Sequence, residues 1–112
     1  MIVKNFILTP AQQRKQIVQR CARKVATRAK EHLSNPLLSS RPHSIQMGAL
    51  AAVARVDRIS APRPVVLAAS RALKAKGLAV RSIRRFPQGY EMKIELPWLR
   101  AAQLLYRAVK KA

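Results

Sequence analysis

Acidic residues are almost missing from this sequence. Glu31, Asp57, Glu91 and Glu95 are the only carboxylate side chains, against 23 Lys and Arg, and the formal net charge is +19. Such an excess repels itself in the folded state, and salt or a polyanionic partner relieves the repulsion. Cys21 is the single cysteine, which excludes an intrachain disulfide and makes a reducing compartment the simpler assumption. One cysteine and two histidines cannot supply a structural zinc tetrad. His32 and His43 both fall near a loop, without the companions that nucleophilic or acid–base catalysis needs. Three glycines leave no Gly-rich phosphate loop. The reading is therefore of a non-enzyme that calls for no cofactor and no metal.

Long apolar runs are also lacking. No stretch approaches the ~18 residues of a membrane-spanning helix. "MIVKNFIL" is too short for the apolar region of a signal peptide. The Arg-rich, acid-poor first 30 residues could mimic an organellar transit peptide, but the same bias runs through the whole chain. An intracellular setting (cytoplasm, nucleoid or virion) is expected, with organellar targeting left open. Aromatics make up only 4% of the chain, and much of the apolar content is Ala, Val and Leu. That mix favours packed helices over a β-sandwich.

What is present suits one domain, residues 1–112. The chain is 49% apolar, enough for a modest core and too much for a disordered basic tail. Residues 1–9 read as an N-terminal arm or edge strand. Thr9 and Pro10 then supply an N-cap and a first helical position. Ile17, Cys21 and Val25, flanked by Val18, Ala22 and Ala29, recur at helical spacing and predict a buried stripe. Residues 34–44, rich in Pro and Ser, read as a loop. Residues 45–57, "IQMGALAAVARVD", read as a small-residue helix with Ser44 as its N-cap, and no strand is evident between residues 45 and 63.

"PVVLAASRALKAKG" predicts a further helix stopped by Gly77, with Val66, Ala69 and Leu73 towards the core and Arg63, Ser70, Arg71 and Lys74 towards solvent. "LAVRSIRRF" and "YEMKIEL" follow as two strands about a "PQG" turn. In the second strand Tyr90, Met92, Ile94 and Leu96 face one way, and Glu91, Lys93 and Glu95 the other. Glu91 and Glu95 read as charge relief for neighbouring arginines. In the first strand Ile83 shares a side with Arg81 and Arg85, so a bulge near Arg84–Phe86 is expected to resolve the conflict. Residues 97–112 predict a last helix that buries Trp98, Ala101, Ala102, Leu105 and Val109 and leaves Arg100, Arg107, Lys110 and Lys111 outside. The expected fold is α+β, mainly α with a small β-hairpin, in the order helix-helix-helix-hairpin-helix.

Residues 67–96, "LAASRALKAKGLAVRSIRRFPQGYEMKIEL", resemble the recognition helix and wing of winged-helix transcription regulators, especially the MarR-like group. The carrying segment is Leu73, Gly77, Leu78 and Val80, followed by Arg81, then a hairpin and a final helix. The resemblance covers about 70 residues from Ile45 and implies a helix-turn-helix plus wing over 45–96. It implies a DNA-binding site made of Arg63, Ser70, Arg71, Lys74, Lys76, Arg81, Arg84, Arg85 and Lys93, the helix in the major groove and the wing arginines on the backbone or minor groove. Arg20, Arg23, Lys24 and Arg28 form a secondary basic face. The simpler reading of the same cations is phosphate contact without base readout.

Two functions follow. One is a nucleic-acid-binding protein, DNA ahead of RNA, acting as a small regulator or architectural factor. The other is a structural subunit of a virion or ribosome-like particle, and a homodimer or larger assembly fits either.

Overall fold

The computed structural model describes residues 8–111; the expectation for an N-terminal arm falls mainly on residues outside that range. In chain order the elements are α1 (Pro10–Leu33), α2 (Pro36–Ser39), α3 (His43–Leu50), β1 (Ala54–Ile59), α4 (Arg63–Ala75), β2 (Ala79–Phe86), β3 (Gly89–Glu95) and α5 (Trp98–Lys111). Helices α1 and α4 pack on each other and lie along one face of the sheet, α1 near β1 and α4 near β2.

The start of α1 is fixed by a reciprocal cap. Thr9 Oγ1 accepts from the Gln12 amide at 3.2 Å, and Gln12 Oε1 accepts from the Thr9 amide at 2.9 Å. The stripe Ile17, Val18, Cys21, Val25 and Ala29 is buried, as its spacing predicts. The 34–44 segment is more structured than a loop. Asn35 Oδ1 accepts from the Leu37 amide at 3.0 Å and caps the single turn of α2. Helix α3 then begins at His43 behind Pro42, not behind Ser44.

The main correction lies in residues 45–57. The helix stops at Leu50, and Ala54–Ile59 forms a strand. Ala54, Val56 and Ile59 are buried while Arg55, Asp57 and Arg58 are exposed, the two-fold alternation of a half-buried strand interrupted by one extra residue before Ile59. The sheet order is β1-β3-β2, all neighbours antiparallel. Strands β1 and β2 are therefore parallel to each other, linked through α4, with β3 inserted between them: a split βαβ unit. Because β1 separates α3 from α4, the tight turn of a helix-turn-helix is not formed, and the expected helix-helix-helix-hairpin-helix order is replaced.

Two bulges shape the sheet. In β2 the register shifts between Val80 and Ser82, which makes Arg81 the extra residue. The expected bulge near Arg84–Phe86 is thus corrected to Arg81. The shift restores alternation: Val80 opposes Ile94 and Ile83 opposes Met92 on the core face, while Arg84 opposes Glu91 on the outer face. Arg85, opposite buried Tyr90, stays exposed at the hairpin end of the edge strand β2. In β1, Asp57 and Arg58 together occupy the interval between Val56 and Ile59, and Arg58 adopts φ 54°.

Helix α4 ends as the sequence predicts. Gly77 takes φ 86°, its amide donates to the Lys74 carbonyl at 3.0 Å, and the Leu78 amide donates to the Leu73 carbonyl at 3.0 Å. These paired bonds form a Schellman stop, with Leu78 buried against the core. Helix α5 packs on α3 and anchors through Ala101 and Leu105. Trp98, expected to be buried, is 58% exposed. It occupies the first position of α5, where the angular direction is right but the core has ended. The expectations for the side chains of Val109, Lys110 and Lys111 lie outside the described ones.

Candidate nucleic-acid interface

The outer face of the sheet carries charge in place of a second helical layer. Across the three strands, Arg55 of β1 opposes Lys93 of β3, which opposes Ser82 of β2. One step along, Glu91 opposes Arg84. Arg55 Nε lies 3.4 Å from Glu91 Oε2, and Arg81 binds Glu95 through both Nε and Nη2. The charge-relief role expected for the two glutamates is present in the geometry. Their side chains are largely covered while the arginines stay exposed, so the carboxylates sit beneath a cationic layer.

Arg84 extends over the Phe86 ring, 5.5 Å from its centroid. Arg85 leaves the opposite side of the same strand end. The hairpin therefore presents a cation on each side of its tip, and neither has an ion-pair partner among the described residues.

On α4, Arg63, Arg71 and Lys74 are exposed and share one face at spacings of eight and three residues. Ser70 does not join them. It is 6% exposed, because Val66, Ser70 and Leu73 follow one another at core-facing helical spacing. Its expected groove-reading role is corrected to packing. Lys76 is exposed at the end of α4, and its carbonyl accepts from Arg100 Nη1 at 3.1 Å. Lys93 is half-buried on the outer sheet face.

The secondary basic face divides. A cleft of about 280 Å³ opens between α1 and β1, lined by Arg20, Arg23, Lys24, Thr27, Arg55, Val56 and Asp57. Arg20 is tied there: Nη2 donates to the Asp57 carbonyl at 2.6 Å and lies 3.8 Å from the Asp57 carboxylate. Arg28 belongs to the scaffold instead, half-buried with Nη1 donating to the Ala52 carbonyl at 2.6 Å. That bond holds the α3–β1 connection on α1. Arg55, the residue that joins this cleft to the outer sheet face, was missed along with its strand; the alternation in "ARVDRI" is the signal that could have found it. Arg58 was missed for the same reason.

Within this arrangement guanidinium and ammonium groups can take phosphate oxygens, with Arg able to bind two at once. Among the described residues no group of three or more His, Cys, Asp or Glu is placed to hold a metal ion, and no helix is long and apolar enough to cross a membrane. No protein-family model matches the chain, and no curated protein or solved structure matches it.

Proposed function

We propose that this protein binds nucleic acid, DNA ahead of RNA, through α4 and the β2–β3 hairpin, with phosphate contacts dominating. One observation carries the reading. Asp57, Glu91 and Glu95 are drawn into ion pairs with Arg20, Arg55 and Arg81, while Arg63, Arg71, Lys74, Arg84 and Arg85 have no carboxylate within pairing distance among the described residues. Cations left in this state across two adjoining elements attract a polyanion and release its counterions on contact. The likeness to a winged helix lies in the pairing of helix α4 with the hairpin that follows it. The burial of Ser70 leaves α4 with few groups able to read a base edge, which favours binding with weak sequence preference.

Salt titration of binding to duplex DNA, single-stranded DNA and RNA of equal length tests the proposal. For about 6–8 phosphates contacted, log K against log salt on duplex DNA should slope near −5 to −7. A flat dependence, or no binding at low salt, removes the proposal; steeper and tighter binding to RNA reassigns it.

A second reading, a structural subunit of a large assembly, is favoured by α5. Trp98, Leu99 and Tyr106 are all exposed on that helix, an apolar display that a neighbouring subunit would cover. Such a subunit should be poorly soluble or partly unfolded when purified alone, whereas a regulator should be folded and soluble.

A further inference from the structure

A groove of about 710 Å³ lies between the second half of α1, the α4–β2 connection and α5. Its α1 side carries Ala22, Ala26 and Ala29, at spacings of four and three residues, and Leu78, Leu96 and Leu104 supply further apolar lining. Three cations also line it, each from a different element: Lys30 from α1, Lys76 from the end of α4, and Arg100 from α5. No acidic residue lines it.

This combination selects the occupant. The lining residues of α1 run from Ala22 to Leu33, a length of about 17 Å, room for some three helical turns laid alongside. Alanines at that spacing let a second helix approach closely, at about 8 Å between axes. Cations supplied by three separate elements suit carboxylates distributed along a segment better than the single head group of a fatty acid. A second copy of this chain, carrying its own excess of +19, is electrostatically opposed. We propose that the groove docks an acidic amphipathic helix of a partner protein, its apolar stripe on the alanines and leucines and its carboxylates on Lys30, Lys76 and Arg100. The nucleic-acid reading shares Lys76 with this groove but makes no use of Ala26 or Lys30, so variants at those two positions test the groove separately.

The probe is a fluorescein-labelled peptide of about 16 residues with a leucine stripe at helical spacing and glutamates elsewhere, followed by anisotropy near 0.15 M salt. A scrambled peptide of the same composition controls for diffuse attraction. The ordered peptide should bind about tenfold tighter than the scrambled one and gain helical circular dichroism on binding. Ala26→Leu, which fills the groove from an exposed position, and Lys30→Glu should each weaken binding about tenfold. Both variants should keep the parental melting temperature and the parental affinity for DNA. Equal binding of the scrambled peptide overturns the proposal, as does indifference to both substitutions. Displacement of the peptide by duplex DNA at matched charge would reassign the groove to nucleic acid. Oleate binding blocked by Ala26→Leu, with peptide binding unaffected, would reassign it to a small amphiphile.

Discussion

Two glycines of this chain hold positive φ, and they differ in what surrounds them. A Cβ on Gly77 would meet Arg100 Nη1 at 2.6 Å, the far end of a flexible side chain that can swing away. A Cβ on Gly89, at φ 132°, would lie 2.8 Å from the Ile59 carbonyl oxygen, which the sheet holds in place. Gly77→Ala should therefore destabilise by about 1 kcal/mol, mainly through its left-handed backbone. Gly89→Ala should destabilise by about 2–4 kcal/mol, since the β1 bulge must move to admit it. Denaturant unfolding of the two variants checks the order, and equal losses would contradict the close approach of β1. Cys21 gives a second residue-scale expectation. Burial pushes its thiol up from 9.0 to about 11, partly offset by the charge of nearby Arg20. The folded state thus keeps the proton more tightly than the unfolded chain does. Its contribution is fully present below pH 9 and is lost as pH rises towards 11, by on the order of 2–3 kcal/mol. The stability difference between the parent and Cys21→Ala should shrink over that window, measured by urea unfolding at each pH. A constant difference would mean that the thiol titrates alike in both states.

At the scale of elements, α5 separates direction from depth. Trp98, Ala101 and Leu105 lie on one arc of the helix, yet only the latter two are buried. Leu105→Ala should cost about 2–4 kcal/mol. Trp98→Ala should cost less than about 1 kcal/mol, and thermal unfolding of the pair checks it. A large loss at Trp98 would place the indole in an interface that forms in solution. Periodicity carries the direction of a side chain, but whether anything packs at that level depends on where the core ends. The same limit explains which elements were legible. The Thr9 cap, the Gly77 stop and the "PQG" turn are local devices, and each forms where the sequence places it. Strand β1 is not local: Ala54 and Val56 find Ile94 and Met92 far along the chain, and an alanine-rich approach reads as helix until those partners are known. The Arg81 bulge was legible as a conflict in β2 but not as a position, because its site lies where Val80 and Ser82 take successive partners, Ile94 and Lys93, across the ladder. For the candidate interface, exposed Arg63, Arg71, Lys74 and Arg84 follow from pattern, whereas Arg85 is exposed because it ends an edge strand, Ser70 turns inward and Arg55 comes with strand β1.

Over the whole molecule the question is whether a charge of +19 acts as a diffuse field or through a face. A diffuse field attracts phosphate to every cation alike, and removing any two should reduce affinity and salt slope equally. The ion pairs argue for a face. Asp57, Glu91 and Glu95 neutralise Arg20, Arg55 and Arg81, so positive potential is thinned around those arginines and left intact at the hairpin tip and along α4. Arg84→Ala with Arg85→Ala removes two exposed cations from the tip without touching the core, so the fold should persist. Each lost phosphate contact lowers the slope by about 0.9, and this pair should lower it by up to about 2 while weakening duplex binding strongly. Arg14→Ala with Lys15→Ala removes the same charge from the exposed start of α1, outside α4 and the hairpin. Parallel salt titrations of the two double variants read the difference directly. Equal losses from the two pairs would return the charge to the surface at large, and α4 and the hairpin would lose their standing as the binding face.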